Sequence, residues 1–332
     1  MGGRNLENYL LLAGGLVLLI VGGELLVRGA ARTATLLGMS PLLIGLTLVG
    51  FGTSTPELVT SVEASLRGSP GIAIGNIVGS NIANILLILG VAALLAPIAV
   101  GRQALVRDGA IVLASAVLFV GIGYLMPLDR LVGALLVASL VLYLYFAYAQ
   151  EMRALPAEHS AAYDKLEAHD EVLPGAIQAR STSGSIWPPL VLAIAGLAVV
   201  IVGGKLLVDG AVGFARAAGI SETIIGLTIV AVGTSLPELV TSVIAALRSH
   251  SDVALGNILG SNLYNILGIG GVTALIAPTA VPPEILGFDG LVMIVVSLAL
   301  LVIARTGYRI SRPEGAALVG GYAIYVYVIW PV

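Results

Sequence analysis

Three stretches of this chain occur twice, always 181 residues apart. "VGGELLVRGA" at 21 returns as "VGGKLLVDGA" at 202, "TPELVTSV" at 55 as "LPELVTSV" at 236, and "GNIVGSNIANIL" at 75 as "GNILGSNLYNIL" at 256. With residues 53–90 laid on 234–271 without a gap, 24 of 38 positions are identical. Unrelated apolar segments do not agree at that level. The chain is a duplication, and whatever one half folds into, the other must fold into as well.

Composition decides the solvent. Of 332 residues, 58% are hydrophobic and 11% charged, and the mean hydropathy is +1.04, well above the values of soluble domains. A helix needs about 20 apolar residues to cross a bilayer. Cutting the chain at charges, Gly and Pro predicts ten such spans: 9–28, 41–66, 71–97, 108–126, 128–149, 188–208, 221–247, 253–278, 285–304 and 314–331. The first run lacks a basic start and a small-residue cleavage site, so it is read as a membrane helix and not as a removed signal. The chain contains no cysteine, which excludes disulfides and thiolate chemistry, and a net charge of −3 argues against a nucleic-acid partner.

Five spans per half is an odd number, so the second half enters the bilayer from the opposite face. The expected fold is all-α: a polytopic membrane protein of ten transmembrane helices arranged as two inverted five-helix repeats, 1–149 and 188–332. Between them lies a polar connection, 150–187, with a short interfacial helix expected around "AAYDKLEAHD". With the N-terminus outside, inner loops hold eleven Lys and Arg and outer loops five. The positive-inside rule then puts both termini outside a cell membrane and the connection in the cytoplasm. Inverted repeats with interrupted helices are built around a midplane substrate site, so the duplicated motifs should meet there.

Those motifs are "GTSTPEL" at 52 and "GTSLPEL" at 233. Pro56 and Pro237 have no amide hydrogen, and each ring clashes with a carbonyl four residues earlier, so each helix must loosen. Carbonyls released in hydrocarbon need partners, which water, nearby hydroxyls or a bound cation can supply. Glu57 and Glu238 stand mid-span, where an acid costs about 2.5–3.5 kcal/mol. No basic residue lies at that depth in these runs, and all three histidines fall in loops. Two carboxylates among hydroxyls and carbonyls make an all-oxygen site suited to a hard divalent cation such as Ca2+. Ser80 with Asn84, and Ser261 with Asn265, are spaced i, i+4 on one helix face. Their side chains suit either interhelical hydrogen bonding or, as neutral oxygen donors, Na+. Glycines 75, 79, 256 and 260 form small-xxx-small faces for close helix packing. Glu24 with Arg28, Glu63 with Arg67 and Lys205 with Asp209 are spaced to neutralise each other on one helix surface.

On "GTSTPE" with "GSNIAN" and "GTSLPE" with "GSNLYN", the chain resembles the sodium/calcium exchanger branch, of prokaryotic type, of the cation/calcium exchanger superfamily, over nearly its whole length. The resemblance implies an antiporter, not an enzyme, exchanging Na+ for Ca2+ by alternating access, electrogenically and in the direction of Ca2+ extrusion. It implies Ca2+ between Glu57, Glu238 and the carbonyls of Thr53 and Thr234. It implies Na+ ligands from Ser54, Ser80, Asn84, Ser235, Ser261 and Asn265, with the carbonyls of Gly50 and Ala231. No cofactor is implied beyond the transported ions, and no partner beyond those ions and the lipid bilayer, a single chain being the working unit. Proton-coupled relatives carry "GN" then "E" where this chain has "GTS" and "PE", and K+-dependent relatives an acid where this chain has Asn265. Ca2+/H+ antiport and K+-dependent exchange stay open as alternatives. An intramembrane hydrolase would need a second Asp, a His or a Ser-Lys pair, which the motifs do not offer.

Overall fold

A computed structural model describes residues 2–37, 53–101, 105–151, 185–249 and 251–330. Gly50, the start of the 41–66 run and most of the 150–187 connection with its expected interfacial helix lie outside the described residues. The described chain is helical apart from two short strands. Its helices are α1 (Gly2–Leu36), α2 (Thr55–Leu66), α3 (Pro70–Leu95), α4 (Leu105–Leu125), α5 (Arg130–Glu151), α6 (Trp187–Ala218), α7 (Glu222–Thr234), α8 (Leu236–Leu247), α9 (Val253–Ile276), α10 (Ile285–Arg305) and α11 (Arg312–Ile329). Seven helices among the described residues are long and apolar enough to cross a membrane, and an eighth span forms when α7 and α8 are taken together across a 49° bend. This is a multi-pass membrane protein.

Two boundaries differ from expectation. Cutting at charged residues ended the first and sixth spans at 28 and 208, but α1 runs to Leu36 and α6 to Ala218. The charges do not end these helices because each finds an ion partner: Arg28 pairs with Glu24 on α1, and Asp209 reaches Arg67 beyond α2. The expected Lys205–Asp209 pairing on α6 gives way to that longer-range bridge.

α1 and α6 pack antiparallel along their length through glycines spaced by seven. A β-carbon at Gly22 would lie 2.8 Å from the Val200 nitrogen, and one at Gly203 2.8 Å from the Leu19 nitrogen. Gly15 and Gly29 face Leu207 and Ala193 in the same way, and Gly196 and Gly210 face Leu26 and Leu12. Without side chains at these positions the two backbones touch. Each glycine of one helix has its counterpart 181 residues away on the other.

α3 and α9 are the central helices. They are buried over 83% and 89% of their apolar windows, against 28% for α1, so the outer helices take the lipid face. Gly79 lets α3 approach α7 so closely that a β-carbon there would lie 2.5 Å from the Leu227 carbonyl oxygen. Both central helices contain a π-helical turn, Asn84–Ile88 in α3 and Tyr264–Ile269 in α9. At the bundle ends, β1 (Ile98–Ala99) pairs antiparallel with β2 (Arg309–Ile310), while Leu128 bridges Thr279. Loops following the central helix of one half are thus tied to the α4–α5 or α10–α11 hairpin of the other. Within each hairpin a buried aspartate accepts a tyrosine hydroxyl: Tyr143 to Asp108 over 3.3 Å, and Tyr325 to Asp289 over 2.9 Å.

Candidate functional site

The site begins with two prolines that each start a helix. α2 and α8 carry Pro56 and Pro237 in their first turn, where a missing amide hydrogen costs nothing. The residue before each helix, Ser54 and Ser235, is near-identical in backbone angle, φ −92°, ψ 12° and φ −85°, ψ 11°. At Pro237 the chain leaves α7 and begins α8 across the 49° bend, and Pro56 begins α2 in the same way. Glu57 and Glu238 follow in the first turn of the new helix, where the positive end of the backbone dipole favours an acid. They are 1% and 2% exposed.

The two halves then cross. The Ser235 hydroxyl donates to Oε1 of Glu57 over 3.0 Å, and that of Ser54 to Oε1 of Glu238 over 3.4 Å. Each acid is thereby held by the serine of the opposite half. Ser261 from α9 adds a second, long contact to Oε1 of Glu238 at 3.5 Å. Ser80 from α3 points its hydroxyl at the Ala231 carbonyl over 3.5 Å. That carbonyl already accepts the Ser235 amide at 3.1 Å and the Thr234 hydroxyl at 3.3 Å.

Asn84 and Asn265 sit in the π-helical turns, which widen the helix by one residue and turn these amides inward. Asn84 donates its amide to Oδ1 of Asn262 over 2.9 Å. Oδ1 of Asn84 and Oδ1 of Asn265 are buried and accept no hydrogen bond among the described residues. Two orphaned carbonyl-type oxygens in a membrane interior are a standing demand for an electropositive partner. Thr53 lines a cavity beside Pro56, and Thr234 is fully buried. Of the twelve residues singled out from the sequence, eleven are described; Gly50 is not.

Reading the motifs did not single out Asn76 and Asn257, which hold the acids from behind. Asn76 donates to the Glu57 carbonyl at 3.1 Å and the Ser61 hydroxyl at 2.9 Å, and accepts the Thr234 hydroxyl at 3.1 Å. Asn257 donates to the Glu238 carbonyl at 3.3 Å and to Thr241 and Ser242 at 2.8 Å each. The signal was present in "GNI" at 75 and 256, a polar residue duplicated inside an apolar helix four positions before Ser80 and Ser261, and so on the same helix face as each serine.

Comparison with known proteins agrees with this geometry. The sodium/calcium exchanger protein family matches residues 7–149 and again 188–330, two segments themselves 181 residues apart. The chain is 38% identical to the sodium/calcium exchanger MaX1 of Methanosarcina acetivorans, covering 97% of this chain and 98% of that one. It is 39% identical to the putative antiporter CaxA of Alkalimonas amylolytica (95% and 96%) and 34% identical to the inner membrane protein YrbG of Escherichia coli (96% and 96%). Among solved structures, the sodium-calcium exchanger NCX_Mj soaked with Na+ and Sr2+ superposes with a TM-score of 0.61 at 32% identity, over 97% of this chain and 98% of that one. The chain belongs to the sodium/calcium exchanger family.

Proposed function

We propose that this protein exchanges Na+ for Ca2+ across the membrane by alternating access around one site between two inverted halves. The observation that carries the reading is the reciprocal pair of contacts, Ser235 to Glu57 and Ser54 to Glu238. Each carboxylate accepts a hydroxyl from the opposite half, so the site is shared where the halves meet. The antiparallel α1–α6 pair, the cross-tied loops and the twofold family match support the inverted arrangement of ten spans, divided at 1–149 and 188–332.

The donor set fits the cargo. Two carboxylates carry the charge of one Ca2+, and with the Thr53 and Thr234 carbonyls they supply oxygen only, the preference of a hard cation. Ser54, Ser80, Asn84, Ser235, Ser261 and Asn265, with the Ala231 and Gly50 carbonyls, add neutral oxygens, which suit Na+ because they raise ligand number without raising charge. An empty site would hold two acids in low dielectric at a cost of several kcal/mol each. The protein therefore changes sides with ions bound, and Ca2+ and Na+ compete for shared oxygens. Obligatory antiport follows, with Na+ entry driving Ca2+ out and net charge moving with the Na+. The excess of Lys and Arg in alternate loops supports an orientation with both termini outside the cell membrane and residues 150–187 in the cytoplasm.

The test is Ca2+ uptake into proteoliposomes loaded with Na+, K+ or choline, across a range of pH. Uptake that needs internal Na+ and rises with an inside-positive potential is the expected result. Uptake driven by a pH gradient without Na+ moves the chain to proton-coupled antiport, and a requirement for K+ alongside Na+ moves it to K+-dependent exchange.

A further inference from the structure

The two ends of the site are in different states, although the sequence repeats. Gly204 on α6 faces Val59 on α2 so closely that a β-carbon at Gly204 would lie 2.6 Å from Cγ1 of Val59. The counterparts 181 residues away, Gly23 on α1 and Val240 on α8, instead line a cavity of about 610 Å3 that runs past Pro56 and Pro237 to Arg28. Val240 is 48% exposed. One approach to the acids is closed by packing, and its symmetry mate is open.

The charges at the two ends differ in the same sense. At the closed end Arg67, just past α2, pairs with Glu63 at 2.7 Å and with Asp209 on α6. The counterparts of Glu63, Arg67 and Asp209 are Ile244, Arg248 and Arg28. Where the closed end has an acid, a base and an acid, the open end has an apolar residue and two bases. The first set ties α6 to α2; at the open end Arg28 pairs with Glu24 on its own helix, and with Ile244 in place of Glu63 and a base in place of Asp209 the same bridge from α1 to α8 cannot form.

We propose that Glu63, Arg67 and Asp209 form an ionic latch that holds α6 on α2 and makes the end bearing Arg28 and Arg248 the resting open side. The proposal rests on the alternating-access reading above, and in the orientation given there the open side is cytoplasmic. All three latch residues are partly exposed, so the latch biases the equilibrium without locking it. Opening the other side requires breaking the Arg67–Asp209 pair, the one of the two that joins α6 to α2, whereas closing the open side gains no matching pair, since Arg28 stands where Asp209 does. Both differences favour the same resting state.

The chain contains no cysteine, so single reporters are clean. Val59→Cys and Val240→Cys are placed separately in the full-length protein, and their reaction rates with a charged maleimide are measured in detergent, in choline without Na+ or Ca2+. Val240→Cys is expected to react at least tenfold faster. Adding Asp209→Asn should raise the Val59→Cys rate about fivefold, the size expected of a surface ion pair. Adding Arg28→Asp with Ile244→Glu, which builds the same triad at the open end, should slow Val240→Cys by a similar factor. Equal rates in the two parent variants, or a ratio that neither set of charge changes moves in monodisperse protein, overturn the latch. Labelling needs no transported ion, so that result leaves the exchange reading standing, just as a failed flux assay leaves the latch standing.

Discussion

Ser235 donates to Oε1 of Glu57 across a sequence separation of 178 residues, over 3.0 Å against 3.4 Å for the matching contact of Ser54 to Glu238. A hydroxyl that solvates a carboxylate in a dry interior does two things. It lowers the cost of the bare charge, and it leaves its own oxygen lone pairs facing the same space. This makes the strength of that contact a handle on ion affinity.

Replacing Ser235 by Ala removes a hydrogen bond to a charged group, worth about 1.5–3 kcal/mol. Ser54→Ala removes a longer one, 3.4 Å against 3.0 Å. The apparent Ca2+ affinity in flux assays should fall about tenfold or more in Ser235→Ala and less in Ser54→Ala. The reverse order would separate contact length from function.

Glu57→Gln and Glu238→Gln keep an oxygen acceptor for the serine across the interface but remove one charge each. Each variant should remain folded and lose Ca2+ transport by at least a hundredfold, since a single acid leaves a divalent ion half compensated. Flux at the unsubstituted level in either variant would refute the proposed Ca2+ site.

Asn76→Ala deletes donors to the Glu57 carbonyl and Ser61 and the acceptor of Thr234 together. Each buried group left unsatisfied costs about 1–3 kcal/mol. Thermal unfolding in detergent should shift down, and the remaining folded protein should bind Ca2+ more weakly because Glu57 loses its backing. Loss of stability with unaltered affinity would make Asn76 structural only.

Gly22→Val and Gly203→Val place side chains against backbone nitrogens 2.8 Å from the β-carbon, which no change of rotamer can move away. Overpacking of this kind costs about 1–3 kcal/mol and more where backbone must move. Both should lower the unfolding temperature, whereas Gly14→Ala, with nothing within 4 Å, should leave it unchanged or slightly raised.

The sequence made legible what depends on local chemistry and on repetition. Apolar length marked the seven helices long enough to span and the bent α7–α8 pair, Pro237 marked the break within that pair, and the duplicated acids marked two carboxylates that the fold buries, because a buried charge in lipid needs a reason wherever it occurs. What it hid depends on partners distant in sequence. Spacing suggested Lys205 for Asp209, but Asp209 joins Arg67, 142 residues away, and no local rule selects between them. Arg28 and Asp209 looked like helix ends for the same reason. Asn76 and Asn257 were passed over because their role is to hold carbonyls on a neighbouring helix, a relation visible only once α2 and α3, or α8 and α9, lie side by side.

The glycine pairing of α1 with α6 has a consequence for how such a chain can arise. Each helix presents the same patch to the other, so the contact is self-complementary, as in an isologous dimer. On the inverted arrangement proposed above, two separate copies of one half would make this same contact with no added residue, and joining them end to end would cost only a tether.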